Sequence, residues 1–168
     1  MAGNHLEQLI AEWYEYQGYF VRRNVRVGKR EQGGYEGELD IVAFHPEKRH
    51  LVHIEASLDA DSWAEREKRF KKKFQAGRKH IPDLFEGIEL PDDIEQMAVL
   101  AYASKRSRQQ VGGGKLVLAS ELLSEIFTHL KSKRLTRGAI SEHFPILRSF
   151  QFVVEYWEEV SQAVAGDT

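Results

Sequence analysis

The chain has 168 residues, of which 42% are hydrophobic, 30% charged and 11% aromatic, with a formal charge of −2; this balance is that of a globular domain and excludes a disordered chain. No apolar run approaches the roughly 18 residues that a membrane span requires, and residues 1–12 lack the basic-then-apolar order of a secretory signal, so no membrane partner and a cytoplasmic address are expected. With no cysteine, disulfides, thiolate zinc sites and cysteine nucleophiles are excluded, which leaves carboxylates, histidines and water as the available chemistry. A chain of this length buries about two-thirds of its unfolded surface and is expected to form one domain, residues 1–168, around a single core.

Taken in chain order, Leu6, Leu9, Ile10, Trp13 and Tyr14 recur at helical spacing behind a capping Asn4, so residues 4–16 predict an amphipathic helix that Gly18 ends. Residues 19–27 alternate with a period of two, the mark of a first strand, and Gly33 with Gly34 marks a turn. Residues 37–44 and 51–56 read as the second and third strands, joined by a short loop containing His45, Pro46 and Glu47 that suits a hairpin. From Asp61 the period lengthens again: Trp63, Phe70, Phe74 and Gly77 share one side of a helix whose other sides carry Lys and Arg, and Pro82 closes it. Residues 97–103 have the length of a strand, 112–114 form a flexible glycine turn, and 115–119 suit a short further strand. Helices return over 121–133, with Ser120 as cap, and over 139–164, with an interruption expected at Pro145. The order αβββαβ, then a shorter strand and extra C-terminal helices, predicts an α/β fold with a central mixed sheet flanked by helices.

The small net charge conceals an uneven distribution. Basic residues gather at Arg22, Arg23, Arg26, Lys29 and Arg30, from Arg66 to Lys79, at Lys105, Arg106 and Arg108, and from Lys131 to Arg137; acidic residues gather over 86–95 and 155–167. Each patch alone is most simply a solvated face, yet together they can build a cationic surface suited to a phosphate backbone.

Two acids interrupt strands otherwise built for burial: Asp40 in GELDIVAF and Glu55 in HLVHIEAS. A buried carboxylate costs several kcal/mol unless it is paired, neutralised or bound to a cation, with a roughly similar position on adjacent strands pointing to a shared metal ion. Alternation places Glu38, Asp40, Val42 and Phe44 on one face, and His53, Glu55 and Ser57 together on a face of the next strand. Hard oxygen donors without cysteine favour Mg2+ or Mn2+, and such an ion suits phosphodiester hydrolysis by orienting the phosphate and acidifying a water. Glu36 and Glu38 read as rim residues rather than ligands, and His53 as a hydrogen-bonded histidine rather than a base.

This arrangement resembles the PD-(D/E)XK nuclease superfamily, of restriction-endonuclease-like fold, over roughly residues 4–104; residues 105–168 add a C-terminal strand and helical extension. The resemblance implies that Asp40 and Glu55 are metal ligands and catalytic, that the Ala56 carbonyl is a third ligand, and that Glu7 in the first helix is the further acid found in many members. Ser57 stands where the family has its lysine, and a hydroxyl brings no positive charge to lower the pKa of a water. In other members that lysine has moved to the following helix, where Lys71 is the preferred candidate and Lys68, a turn earlier, the alternative. Gln75 is placed to contact substrate or a metal-bound water, and Lys68, Arg69, Lys72 and Arg78 are candidate nucleic-acid contacts.

The expected function is metal-dependent hydrolysis of DNA, with RNA open as a substrate, through a variant active site. The alternative is a catalytically inactive nuclease-fold module that binds nucleic acid or acts as a scaffold, having lost chemistry with the lysine. A homodimer through the aromatic C-terminal helix (Phe150, Phe152, Tyr156, Trp157) is compatible with either, although those rings more often serve a core of their own.

Overall fold

The computed structural model describes residues 4–104 and 107–166; Lys105, Arg106 and Asp167, which belong to charged patches in the sequence, lie outside the described residues. The chain divides into two compact units, residues 1–119 and 120–168. The first is an α/β unit. It opens with α1 (His5–Tyr16), whose first turn is capped by the Asn4 side chain accepting from the Glu7 N–H. There follow β1 (Phe20–Lys29), β2 (Tyr35–His45), β3 (His50–Ser57), α2 (Trp63–His80), a 3-10 turn (Ile81–Leu84), β4 (Glu95–Leu100), β5 (Gln110–Val111) and β6 (Gly114–Leu118).

The six strands form one mixed sheet in the order β1-β2-β3-β4-β6-β5. The β1–β2–β3 meander is antiparallel, β4 and β6 add in parallel beyond β3, and β5 closes the far edge antiparallel to β6. Helix α1 packs on β1, β2 and β3, while α2 reaches across the sheet from β1 to β6. The centre of the sheet is dry: Leu39, Ile41, Val42, Ala43, Val52 and Ile54 are fully buried. Each large apolar side chain so placed contributes roughly 1.5–3 kcal/mol.

The two glycines that turn β5 into β6, Gly112 and Gly113, have φ of 61° and 84°, the left-handed pair that a two-residue hairpin demands. Sequence pattern alone reads this as a flexible turn; it is instead a tight one, in which Val111 pairs with Gly114. A side chain at Gly112 would also run into the backbone of α2 at Phe70 and Lys71, so the hairpin is pressed against that helix.

Helix α2 begins with a full capping box, Ser62 and Glu65 bonding each other's backbone N–H groups, and ends in Arg78, Lys79 and His80, which complement the helix dipole. Phe70 and Phe74 are its buried anchors. Arg66 joins them inside, 3% exposed, donating to the backbone carbonyls of Asp59 and Tyr102 and lying over the Trp63 ring. The sequence places Arg66 in a surface patch; its position on the Phe70 stripe carries it into the interior instead.

The second unit is helical: α3 (Ala119–Leu130), α4 (Leu135–Gly138), α5 (Pro145–Glu155) and α6 (Trp157–Ala165). Pro145 does not interrupt a helix as expected but starts one, because its missing N–H falls where the first turn has no acceptor for it. The break comes at Tyr156. Buried Gln151 ties the unit together, accepting from the Ile140 N–H and donating to the carbonyls of Lys133 and Gly138. Of the C-terminal aromatics, Phe150 packs on Phe127, which also meets Trp157 edge-on; Phe152, Tyr156 and Trp157 are about half exposed. Among the described residues no helix is long and apolar enough to cross a membrane.

Candidate functional site

The β2–β3 register, running from His45 opposite His50 to Ile41 opposite Ile54, brings Asp40 next to Glu55. At that point the backbone ladder stops and side chains take over its bonds. The Asp40 N–H donates to Glu55 Oε1 at 3.3 Å, and the Ala56 N–H donates to Asp40 Oδ2 at 3.0 Å. On the other side of β2, pairing with β1 skips Asn24, which sits at φ 53°, a conformation that asparagine tolerates better than most residues. Both neighbours of β2 therefore loosen their grip at Asp40, and the two carboxylates come together at the opening.

Helix α2 closes the site from above with Lys73. Its ammonium donates to Asp40 Oδ1 at 2.7 Å and also to Glu55 Oε2, bridging the two acids. Asp40 and Glu55 are 8% and 0% exposed, while the Lys73 side chain is about one-third exposed. Burial and the adjacent Glu55 push Asp40 up to about 6, and burial raises Glu55 as well, against the pull of Lys73. Burial works against the Lys73 ammonium, but Glu55 and Asp40 outweigh it and raise its pKa.

Lys71, the lysine preferred from sequence, is exposed on the other flank of α2, and Lys68 is exposed too. Adjacency to a buried phenylalanine does not choose a flank: Lys71 follows Phe70 and Lys73 precedes Phe74, and two residues rotate a helix by about 200°. The readable signal was spacing. Lys73 stands three residues after Phe70 and four before Gly77, at an i+3 and i−4 position of the buried stripe.

Ser57, at the position where the sequence resemblance expects a lysine, is 4% exposed and carries no charge of its own. Its hydroxyl accepts from Arg69 at 2.7 Å and from the Asp59 N–H at 3.1 Å, and donates to Asp59 Oδ2. Arg69 further pairs with Asp59 and Asp61 at 2.8 and 2.7 Å. A guanidinium thus reaches the third-strand position from the helix, a link that sequence reasoning missed because Arg69 looked like a surface phosphate contact.

His53 is fully buried beside Glu55, its Nε2 lying 2.7 Å from Glu55 Oε1. Burial pushes the imidazole down to about 3, so it is neutral at any ordinary pH. Gln96 on β4 holds its other nitrogen. Glu7 on α1 has its pKa raised by burial and by Asp40, and it lines the same cavity of about 150 Å³ as Asp40, Ala56, Asp59, Arg69 and Lys73.

The donor chemistry suits a hard divalent cation. Glu7, Asp40 and Asp59 line the cavity and Glu55 stands behind it, four carboxylates against Lys73 and Arg69; burial is the main cause that raises Glu7, Asp40 and Glu55, and at Glu7 and Asp40 a neighbouring carboxylate adds to it. Among the described residues no three His, Asp or Glu side chains are grouped to hold a metal by themselves. Backbone oxygen and water would have to complete the shell, which is how Mg2+ is usually held.

A larger cleft of about 540 Å³ adjoins the site, sharing Arg69 and Lys73 with it and lined also by Arg30, Lys72, Gln75 and Lys79. Lys72 and Gln75, expected from sequence as contacts, are there; Lys68 lines a smaller neighbouring cleft with Arg69 and Lys72; Arg78 lies on the flank near Gly113. Glu36 and Glu38 form the rim. Glu36 is bonded to Lys79 and His80, which lower its carboxylate to about 2, and Glu38 pairs with Arg26. Comparison with protein-family models, curated proteins and solved structures finds no match to this chain.

Proposed function

We propose that the protein is a metal-dependent nuclease of the PD-(D/E)XK type that hydrolyses phosphodiesters in DNA, with Mg2+ or Mn2+ as cofactor and Lys73 in place of the strand lysine. The observation that carries this reading is the Lys73 ammonium on α2 bridging Asp40 and Glu55 at the point where β2 and β3 part. The family resemblance allows that lysine to come from the following helix.

In this reading Asp40, Glu55 and the Ala56 carbonyl hold the ion, with Glu7 in reach of the same cavity. The bound ion would orient the scissile phosphate, acidify the attacking water and stabilise the leaving oxygen. Lys73 supplies a fixed positive charge that favours the deprotonated form of a water beside it. Arg69, held on Ser57 and Asp59, faces a phosphate entering from the larger cleft, where Arg30, Lys72 and Lys79 offer sequence-independent backbone contacts.

A second reading rests on the same bridge. Lys73 already neutralises the two acids and Ser57 brings no cation, so the fold could bind nucleic acid without turnover. Incubation of plasmid, single-stranded and branched DNA with Mg2+ or Mn2+ separates the two. Cleavage lost in Asp40→Ala, and reduced about 10²–10⁴-fold in Lys73→Met, is the expected result. Salt-dependent binding with no cleavage of any substrate would establish the silent module and overturn the nuclease.

A further inference from the structure

We propose that His53 is a positioning residue that fixes the orientation of the Glu55 carboxylate as a metal ligand, through a relay anchored on α2 by Gln96. The inference rests on the metal-site reading above. Its starting point is the direction of the hydrogen bonds. Gln96 Nε2 lies 2.8 Å from the Phe74 carbonyl and 3.1 Å from His53 Nδ1. A carbonyl oxygen only accepts, so the nitrogen of the Gln96 amide faces it, and the same NH2 group presents its second hydrogen to His53. His53 Nδ1 is then the acceptor, and the ring proton sits on Nε2, pointing at Glu55 Oε1 at 2.7 Å.

The consequence falls on Glu55. Oε1 receives His53 Nε2–H together with the Asp40 N–H, and Oε2 is left facing Lys73. One oxygen is committed inward and the other outward, toward the side from which a cation is approached. The fold accepts two concessions for this relay. Gln96 Oε1 is buried with no partner, a penalty that a purely structural glutamine would avoid by turning toward solvent. Helix α2 carries Gly77 where the ring lies, since a methyl group there would collide with His53 Nδ1. The Phe74 ring meets His53 edge-on and completes the socket. A histidine donating to a ligand and itself held by a third group is the usual outer-shell arrangement for keeping a ligand oriented.

The test is Mn2+ binding by isothermal titration calorimetry on the full chain, with thermal melts run in parallel. His53→Phe keeps the ring and removes the donor; Mn2+ binding about 10–100-fold weaker is expected. His53→Gln, whose side-chain N–H can occupy the place of Nε2–H, is expected to recover most of the affinity, which a packing role would not produce. Gln96→Leu frees the imidazole from its anchor and is expected to weaken binding several-fold, and it serves as the deciding variant should His53→Phe fail to fold. Mn2+ binding by His53→Phe or Gln96→Leu equal to the natural chain would overturn the inference and leave the metal site standing, as would failure of His53→Gln to recover affinity that His53→Phe lost. A natural chain that binds no Mn2+ would overturn the metal reading itself.

Discussion

Asp40→Asn tests whether the site stores destabilising charge. Asp40 is raised from 3.8 to about 6, so the folded protein holds a proton there that the unfolded chain releases. A group whose folded pKa is raised contributes stability below its unfolded pKa, and that contribution is lost as pH rises through the folded value. The shift of about 2 units corresponds to about 3 kcal/mol at 1.36 kcal/mol per unit. Asparagine cannot ionise and so does not suffer this loss, although it offers one oxygen where aspartate meets both the Ala56 N–H and Lys73. The missing acceptor is a constant offset of about 1.5–3 kcal/mol; the pH-dependent part is the signal. Relative to the natural chain, Asp40→Asn should gain about 2.5 kcal/mol between pH 4 and pH 8, the remainder of the shift falling below pH 4. His53, lowered to about 3, titrates with the opposite sign over an overlapping range and is present in both proteins; because the Asp40 charge also raises His53 and Glu7, the difference reports Asp40 together with its coupling to these two neighbours. Urea unfolding should be read by hydrogen exchange of residues 39–56, which belong to the first unit. Saturating Mg2+ at pH 8 should then stabilise the natural chain by about 2.7 kcal/mol at 100 times its Kd and leave Asp40→Asn behind. A stability difference that stays flat from pH 4 to pH 8 would refute the argument that Asp40 is held ionised against a desolvation penalty.

Gly77→Ala should destabilise the first unit by about 1–3 kcal/mol despite the better helix propensity of alanine, because the added methyl must displace the buried His53 ring; urea unfolding that showed a gain instead would mean that the ring has room to move. Ser57→Lys, which puts a lysine where the resemblance to PD-(D/E)XK nucleases expects one, should fail to raise DNA cleavage if Lys73 fills that role as proposed. It would remove one of the three acceptors of Arg69, leaving Asp59 and Asp61, and bring a second ammonium to a cavity that already contains Lys73. Faster cleavage by Ser57→Lys than by the natural chain would show that Lys73 does not fill the lysine role.

The meander and the two helices that flank the site were legible because their apolar periods are clean: Leu6, Leu9, Ile10 and Trp13 on α1, and the continuous core of β2 and β3, are buried where the pattern puts them. The shared face of Asp40 and Glu55 followed from a period of exactly two residues and a short hairpin. The lysine did not follow, since a helix with basic residues at Lys68, Arg69, Lys71, Lys72 and Lys73 offers a cation on nearly every bearing, and only the stripe through Phe70, Phe74 and Gly77 selects one. Arg66 was misjudged for the complementary reason: a charged residue on a buried stripe violates the pattern, and its guanidinium is instead received by the backbone carbonyls of Asp59 and Tyr102. Strand β5, at two residues, is too short to leave a period at all.

The placement of the cation on α2 rather than β3 has a physical logic of its own. A lysine at position 57 would extend from a strand whose side chain is 4% exposed, with its charge confined between Asp59 and the helix. Lys73 instead enters from a helix with about one-third of its side chain still in solvent, so its stem can adjust while the ammonium remains near the acids. Ser57 then becomes free to serve Arg69, whose guanidinium is planar and always charged, and is suited to a phosphate oxygen in a way that a second lysine is not. The two cations are one helical turn apart, at an i, i+4 spacing that projects both from the same face of α2. Lys73 thus meets Asp40 and Glu55, while Arg69 lies where the site adjoins the larger cleft; in the proposed nuclease the two cations would divide the acids and the incoming phosphate between them.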